Sequence, residues 1–147
     1  MTGIAASFQP PRAMSPATAG QGEPPRARIL LVEDDAPVRC VLVLALELEG
    51  HEVVGAGDAD AALSLSRCLP AFDLLVVDVG LPRVPGVELV RVLDPAGVLP
   101  VIYITGHADD ATARLGLPDG WPRLRKPFSP AQLAAAVAAR LRIPSAA

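Results

Sequence analysis

The stretch Ile29-Leu30-Leu31-Val32-Glu33-Asp34-Asp35 decides the fold: an unbroken apolar run stops at an acidic cluster. An apolar run with no polar alternation suits a strand covered on both faces in a parallel sheet. The same change recurs downstream. Leu74-Leu75-Val76-Val77 ends at Asp78, Val101-Ile102-Tyr103-Ile104 ends at Thr105, and Arg123-Leu124-Arg125 leads into Lys126-Pro127. In an open parallel α/β sheet, ligands gather in the crevice at the carboxyl ends of the strands. Glu33, Asp34, Asp78, Thr105 and Lys126 are therefore predicted to converge on one crevice.

Helical signals separate these runs, and strand and helix alternate from Arg28 onward. Asp35 is placed to N-cap the first helix, with Pro37 in its first turn and Gly50 as its stop. Glu52–Ala56 reads as a short strand, and Asp58 caps a second helix that ends near Pro70, with Ala62, Leu65 and Leu69 on one face. Residues 73–77 and 99–104 read as buried strands. Between them a short helix over residues 87–93 is ended by Asp94-Pro95 and Gly97. A helix over residues 108–115 is cut short by Gly116 and Pro118. Residues 123–125, with two arginines and Pro122 before them, suit a sheet edge. Ser129 caps the last helix, Pro130 takes its first position, and Leu133, Val137 and Leu141 make a stripe facing the sheet. This alternation implies an α/β fold: a parallel sheet with right-handed crossovers and helices on both faces.

The chain has 147 residues, the length of one domain, and its 51% hydrophobic and 20% charged residues describe a globular protein. Aromatics make up only 3%, so Leu, Val and Ala must fill the core. A net charge of -3 gives no reason to expect binding to nucleic acid or a membrane surface. No apolar run has the length of a membrane span, and the start of the chain does not read as a secretory signal, so the cytoplasm is the expected compartment. Cys40 and Cys68 fall in predicted helices without metal-ligand spacing and are expected to be reduced, buried thiols. Residues 1–26 hold Pro10, Pro11, Pro16, Pro24 and Pro25, with only Ile4, Phe8 and Met14 as large apolar residues. They are expected to form a flexible tail, with a folded unit over residues 27–143 and a short tail over residues 144–147.

Two like charges about 4 Å apart repel by roughly 4 kcal/mol at an effective dielectric near 20. The converging carboxylates of Glu33, Asp34 and Asp78 therefore call for a raised pKa or a bound cation. Mg²⁺ is the natural choice, since it takes one or two carboxylates, keeps several waters and bridges to phosphate oxygens. The backbone carbonyl of Gly80 is placed to complete its shell. Lys126 and Thr105 add an ammonium and a hydroxyl, the groups that neutralise charge on the equatorial oxygens in phosphoryl transfer. A cis Lys126-Pro127 bond suits such a turn. Taken singly, Glu33 and Asp35 are ordinary solvated caps, Lys126 a surface lysine and Thr105 a turn residue; their coincidence at strand ends argues for a site.

The segments ILLVEDD (29–35), LLVVDVGLP (74–82), YITGHAD (103–109) and RKPFS (125–129) resemble the signature segments of the receiver domain of two-component response regulators. The resemblance runs from Arg28 to about Arg142. It implies a flavodoxin-like, doubly wound five-stranded parallel sheet of order 2-1-3-4-5. It also implies that Asp78 is the phosphoacceptor and Thr105 the switch hydroxyl, with Lys126 as the family's lysine. Asp34 would be the direct Mg²⁺ ligand, with Glu33 acting mostly through a bound water. The implied donor is a phosphohistidine on a sensor histidine kinase or histidine phosphotransfer protein, for which acetyl phosphate could substitute. With so few residues after Arg142, the expectation is a stand-alone, chemotaxis-type receiver. It would promote its own phosphorylation and dephosphorylation, carry no enzymatic output domain and signal through protein contacts. The alternative is a pseudo-receiver that binds partners without taking phosphate. An aspartate-nucleophile hydrolase would need an Asp nucleophile and a second Asp two residues later at the first strand, which Glu33-Asp34-Asp35 does not supply.

Several positions depart from that family. An aromatic usually stands three residues before the lysine; here the position is Arg123, with Trp121 two residues earlier. Phosphorylation is therefore expected to change the contacts of Arg123 or Trp121. Gly80 and His107 are placed to tune water access. The intervals between Asp78, Thr105 and Lys126 are slightly short, which implies an altered dimerisation surface. The first helix (residues 38–49) is apolar nearly all round, with Val38, Val41, Leu42, Val43, Leu44, Leu46 and Leu48. Such a helix is expected either to be covered by a partner, through kinase docking or homodimerisation, or to leave an exposed apolar patch.

Overall fold

Ile29, Leu30, Leu31 and Val32 are fully buried because β1 (Arg28–Val32) lies inside a sheet covered on both faces. The computed structural model describes residues 26–106 and 122–142. After β1 come α1 (Ala36–Leu48), β2 (Glu52–Ala56), α2 (Ala59–Cys68), β3 (Leu74–Asp78), α3 (Gly86–Leu93), β4 (Val101–Thr105), β5 (Arg123–Arg125) and α4 (Pro130–Arg142). The strands form one five-stranded sheet in the order β2-β1-β3-β4-β5, with every neighbouring pair parallel. The predicted helix over residues 108–115 lies outside the described residues, as does the predicted tail apart from Arg26, whose Nε donates to the Gly50 carbonyl at 2.8 Å.

Alternation along each strand divides the core in two. Leu30 and Val32 face Leu75, Val77, Val101 and Tyr103, and α2 and α3 close that side with Ala59, Ala62, Val87 and Leu89. Ile29 and Leu31 face Leu74, Val76, Ile102 and Ile104, closed by Leu42 and Leu46 of α1 and Leu133 and Val137 of α4. The apolar runs thus reflect burial on both faces, as parallel strands require.

Caps set the helix boundaries. The Asp35 carboxylate accepts the Val38 N–H at 3.1 Å, and the Asp58 carboxylate accepts the Ala61 N–H at 2.8 Å. Ser129 and Gln132 form a reciprocal capping box: the Gln132 N–H donates to Ser129 Oγ at 3.1 Å, and the Ser129 N–H donates to Gln132 Oε1 at 2.7 Å. Two strands start later than the sequence suggests. Asp73 serves as a clamp before β3, its carboxylate accepting the Arg28 N–H at 2.8 Å. The carboxylate of Asp94 accepts the N–H groups of Val98 and Leu99 at 3.2 and 2.9 Å, so Leu99 belongs to a turn and β4 begins at Val101.

One expectation needs correction. Cys40 and Cys68 are free but exposed. Cys40 lies on α1, whose buried residues are Leu42 and Leu46, and Cys68 is the last residue of α2. A helix laid on a sheet buries one stripe, and Val41, Leu44 and Leu48 of α1 remain 52%, 55% and 77% exposed, the exposed patch expected where no partner covers the helix. As expected for an edge, β5 pairs only with β4 and exposes Arg123 and Arg125. No described helix is long and apolar enough to cross a membrane.

At the amino end of the sheet, buried His51 accepts the Ala27 N–H on Nδ1 at 3.1 Å, which requires that nitrogen to be unprotonated. Burial lowers its pKa below the ordinary histidine value; Glu49 opposes the shift without reversing it. The unfolded chain therefore binds the proton more readily. The stability contributed is full above the ordinary value of about 6.5 and is lost as pH falls towards the folded value. Thermal melts between about pH 8 and about pH 5 should show Tm falling on acidification, and His51→Gln should lower Tm at pH 8 while flattening that dependence.

Candidate functional site

The register of the two central strands creates the site. Val32 pairs with Val77, so Glu33 and Asp78, each one residue further on, leave the sheet side by side. Ile104 pairs with Asp78 and Thr105 with Arg125, which sets Thr105 and then Lys126 in line beside them. The Lys126 N–H donates to the Thr105 carbonyl at 2.7 Å, fixing the backbone from which the lysine reaches inward. The Lys126-Pro127 bond is cis.

Both oxygens of Asp78 are engaged: Oδ1 accepts the Gly80 N–H at 2.8 Å, and Oδ2 lies 3.0 Å from Lys126 Nζ. Glu33 is fully buried. Its Oε2 accepts the Asp35 N–H at 3.1 Å. Its Oε1 lies 3.3 Å from Lys126 Nζ but off the hydrogen-bonding direction, so that contact is Coulombic and the oxygen has no hydrogen-bond partner. Asp34 is exposed, and carboxylate oxygens of Glu33, Asp34 and Asp78 lie within 4.8 Å of one another. Thr105 is buried at the end of β4.

Burial is the main cause that pushes the Glu33 carboxyl above the usual glutamate range. The Asp78 charge adds to it, against the opposing pull of the Asp35 N–H and Lys126. Burial pulls Lys126 the other way, but its hydrogen bond to Asp78 and the charges of both carboxylates outweigh this and raise its pKa. One ammonium faces three carboxylates, so the cluster lacks positive charge. The orphaned Glu33 Oε1 beside an exposed Asp34 gives an all-oxygen set that fits a hard divalent cation such as Mg²⁺.

Of the other residues singled out in the sequence, Gly80 contributes its N–H to Asp78. Arg123 pairs in register with Tyr103 at the start of β5, two strand positions before the cluster. Trp121 and His107 lie outside the described residues. The sequence reading missed Gly86. A Cβ there would stand 2.3 Å from the Asp78 carbonyl oxygen and 2.8 Å from Val79 Cα, so only glycine lets α3 approach the end of β3 this closely. The available signal was a glycine directly after Pro85, at a helix start with no side-chain cap.

Comparison with known proteins gives the same class. The response regulator receiver domain matches residues 29–138, and the chain belongs to that family. It is 38% identical over 118 residues to the DNA-binding response regulator MtrA of Mycobacterium tuberculosis, covering 80% of this chain and 51% of that protein. It is 36% identical over 116 residues to the transcriptional regulatory protein CpxR of Escherichia coli, covering 78% of this chain and 49% of CpxR. The chain thus spans about half the length of the curated relatives it matches. A CheY-like response regulator receiver domain protein from Methanospirillum hungatei superposes with a TM-score of 0.68 at 29% identity, covering 78% of this chain and 92% of that one.

The close approach at Gly86 yields a direct test. Gly86→Ala forces backbone apart rather than a flexible side chain, so it should destabilise the fold by about 3 kcal/mol, the upper end of overpacking costs. Urea unfolding would measure this. A loss below about 0.5 kcal/mol, the range of neutral surface changes, would show that the approach is not tight.

Proposed function

We propose that this receiver accepts a phosphoryl group on Asp78 from a phosphohistidine of a sensor histidine kinase or histidine phosphotransfer protein, in a Mg²⁺-dependent phosphorelay. The supporting observation is the placement of the Asp78 carboxylate, buried at the end of β3 with one oxygen on the Gly80 N–H and the other on Lys126 Nζ. An Asp78 oxygen attacks phosphorus and forms the new P–O bond. The P–N bond breaks, and its electron pair returns to the imidazole nitrogen. Lys126 is placed to follow the transferred charge onto a phosphoryl oxygen, and the Thr105 hydroxyl, two strand ends from Glu33, to bind another. Water later attacks the acyl phosphate, releasing inorganic phosphate and restoring Asp78.

Asp34, Asp78 and the Gly80 carbonyl would hold Mg²⁺, with Glu33 acting through a water. When bound, the cation neutralises the carboxylates and orients the phosphoryl oxygens. Asp34, the exposed member of the cluster, is the one open to an arriving ion. Val41, Leu44 and Leu48 of α1 offer an apolar stripe suited to the helices of a phosphotransfer partner or to a second copy. Output passes through protein contacts, with Arg123 at the family's usual aromatic position in the sequence and Trp121 two residues before it as the candidate relay, and with His107, two residues after Thr105 in the sequence, as a candidate for tuning water access.

With acetyl phosphate and Mg²⁺, or with a phosphorylated kinase, the protein should gain one alkali-labile phosphoryl group detectable by mass spectrometry. Asp78→Asn should gain none. Lys126→Met should label about a hundredfold more slowly, the usual cost of a lost oxyanion donor. Unchanged labelling of Asp78→Asn would refute the assignment of the nucleophile. A wild-type protein that labels with neither donor would instead be a pseudo-receiver.

A further inference from the structure

The segment Gly55-Ala56-Gly57, at the end of β2 and just beyond it, has no role in the site described above. Glycine within a strand commonly marks the close approach of another group. Here the group common to both glycines is Arg39, in the first turn of α1, whose side chain runs back over β2; Val43 Cγ2 also approaches Gly55, at 3.2 Å from where a Cβ would stand. A Cβ at Gly55 would stand 3.2 Å from Arg39 Cγ and 3.3 Å from its Cδ; one at Gly57 would stand 3.0 Å from Nη1. All three distances to Arg39 are tighter than ordinary contact. The two glycines therefore form a slot for the arginine.

The slot directs the guanidinium at one atom. Arg39 Nη1 donates to the carbonyl oxygen of Glu33 at 2.7 Å. Among the described residues no carboxylate lies within ion-pair distance of Arg39, so this bond is not incidental to a salt bridge. The Glu33 N–H already donates to the Ala56 carbonyl at 3.0 Å. With the guanidinium added, the backbone of Glu33 is held on both sides. The peptide plane that carries this carbonyl also begins Asp34, the exposed member of the acidic cluster. A charged donor on a carbonyl is among the stronger hydrogen bonds available to hold such a plane.

We propose that Arg39, seated on Gly55 and Gly57, is a positioning residue. By holding the Glu33 carbonyl it fixes the Glu33-Asp34-Asp35 turn so that the acidic oxygens face a divalent cation together. The proposal rests on the phosphoacceptor reading above for the purpose of that turn, but the clamp itself stands on the contacts alone.

The sign of the effect separates this role from that of a bystander cation. Deleting a positive charge near carboxylates should tighten Mg²⁺ binding if charge is all that Arg39 supplies. A lost clamp should weaken it. Calorimetric titration with Mg²⁺ alone should therefore find Arg39→Met binding about tenfold more weakly than wild type, with Arg39→Lys in between. Amide hydrogen exchange at Glu33 and Asp35, measured without metal, should accelerate by about the same factor in Arg39→Met. Gly57→Ala should weaken Mg²⁺ binding in the Arg39 protein and have no effect in the Arg39→Met background, because both changes act through one contact. Val137→Ala, in the core on α4, should lower Tm without changing Mg²⁺ affinity, which separates loss of stability from loss of the clamp.

Exchange at Glu33 and Asp35 that does not respond to Arg39→Met would overturn the clamp. So would Mg²⁺ affinity equal to or tighter than wild type in that variant, or equal costs of Gly57→Ala in both backgrounds. A wild-type protein with no Mg²⁺ affinity but faster exchange in Arg39→Met would leave the clamp standing and remove the metal-dependent reading of the site.

Discussion

The rest of the site depends on one ammonium placed between two buried carboxylates. Lys126 Nζ lies 3.0 Å from Asp78 and 3.3 Å from Glu33. Two carboxylates side by side at the ends of β1 and β3 would repel strongly in a buried setting, and burial already penalises the charged form of Glu33. Neither carboxylate's own strand can supply the counter-charge. It comes from the turn after β5, and it arrives because β4 lies between β3 and β5 and the Thr105 carbonyl holds the Lys126 N–H. Strand order and electrostatics are thus one problem. A sheet in another order would bring the acids together without their lysine.

The compensation is incomplete, and this is what makes the arrangement a site rather than a structural ion pair. Glu33 Oε1 keeps no hydrogen bond, and Asp34 adds a third carboxylate from the solvent side. A fully satisfied network would be inert. Here the remaining demand for positive charge lies beside Asp78, whose carboxylate accepts the Gly80 N–H and whose carbonyl is closely approached by Gly86, while Arg39 donates to the carbonyl of Glu33.

Much of this was legible in the sequence because it depends on local pattern. Continuous apolar runs gave the strands, and Asp35, Asp58 and Ser129 gave the helix starts through side chains that satisfy the first free N–H groups. Acidic, hydroxyl and basic residues at strand ends gave the cluster, since parallel topology carries all those ends to one edge. What stayed hidden depends on distances between elements. Gly86 and the pair Gly55 and Gly57 are ordinary glycines until α3 and Arg39 are seen to press on them. Asp94 is the helix stop the sequence suggests, but its two further hydrogen bonds to the following turn, which delay β4, were not visible there. The exposure of Cys40 and Cys68 stayed hidden because composition does not tell which stripe of a helix meets the sheet.

The Glu33 carboxylate is itself buried in an acidic cluster that is short of positive charge, an arrangement that fits a divalent cation. Carbon-detected NMR titration of the Glu33 side-chain carboxyl, with and without Mg²⁺, tests this most directly. Without the metal the pKa should lie above the ordinary glutamate range, in the direction set by burial and Asp78. Adding Mg²⁺ should lower it, since a cation favours the charged form. An ordinary pKa that does not respond to Mg²⁺ would contradict the account.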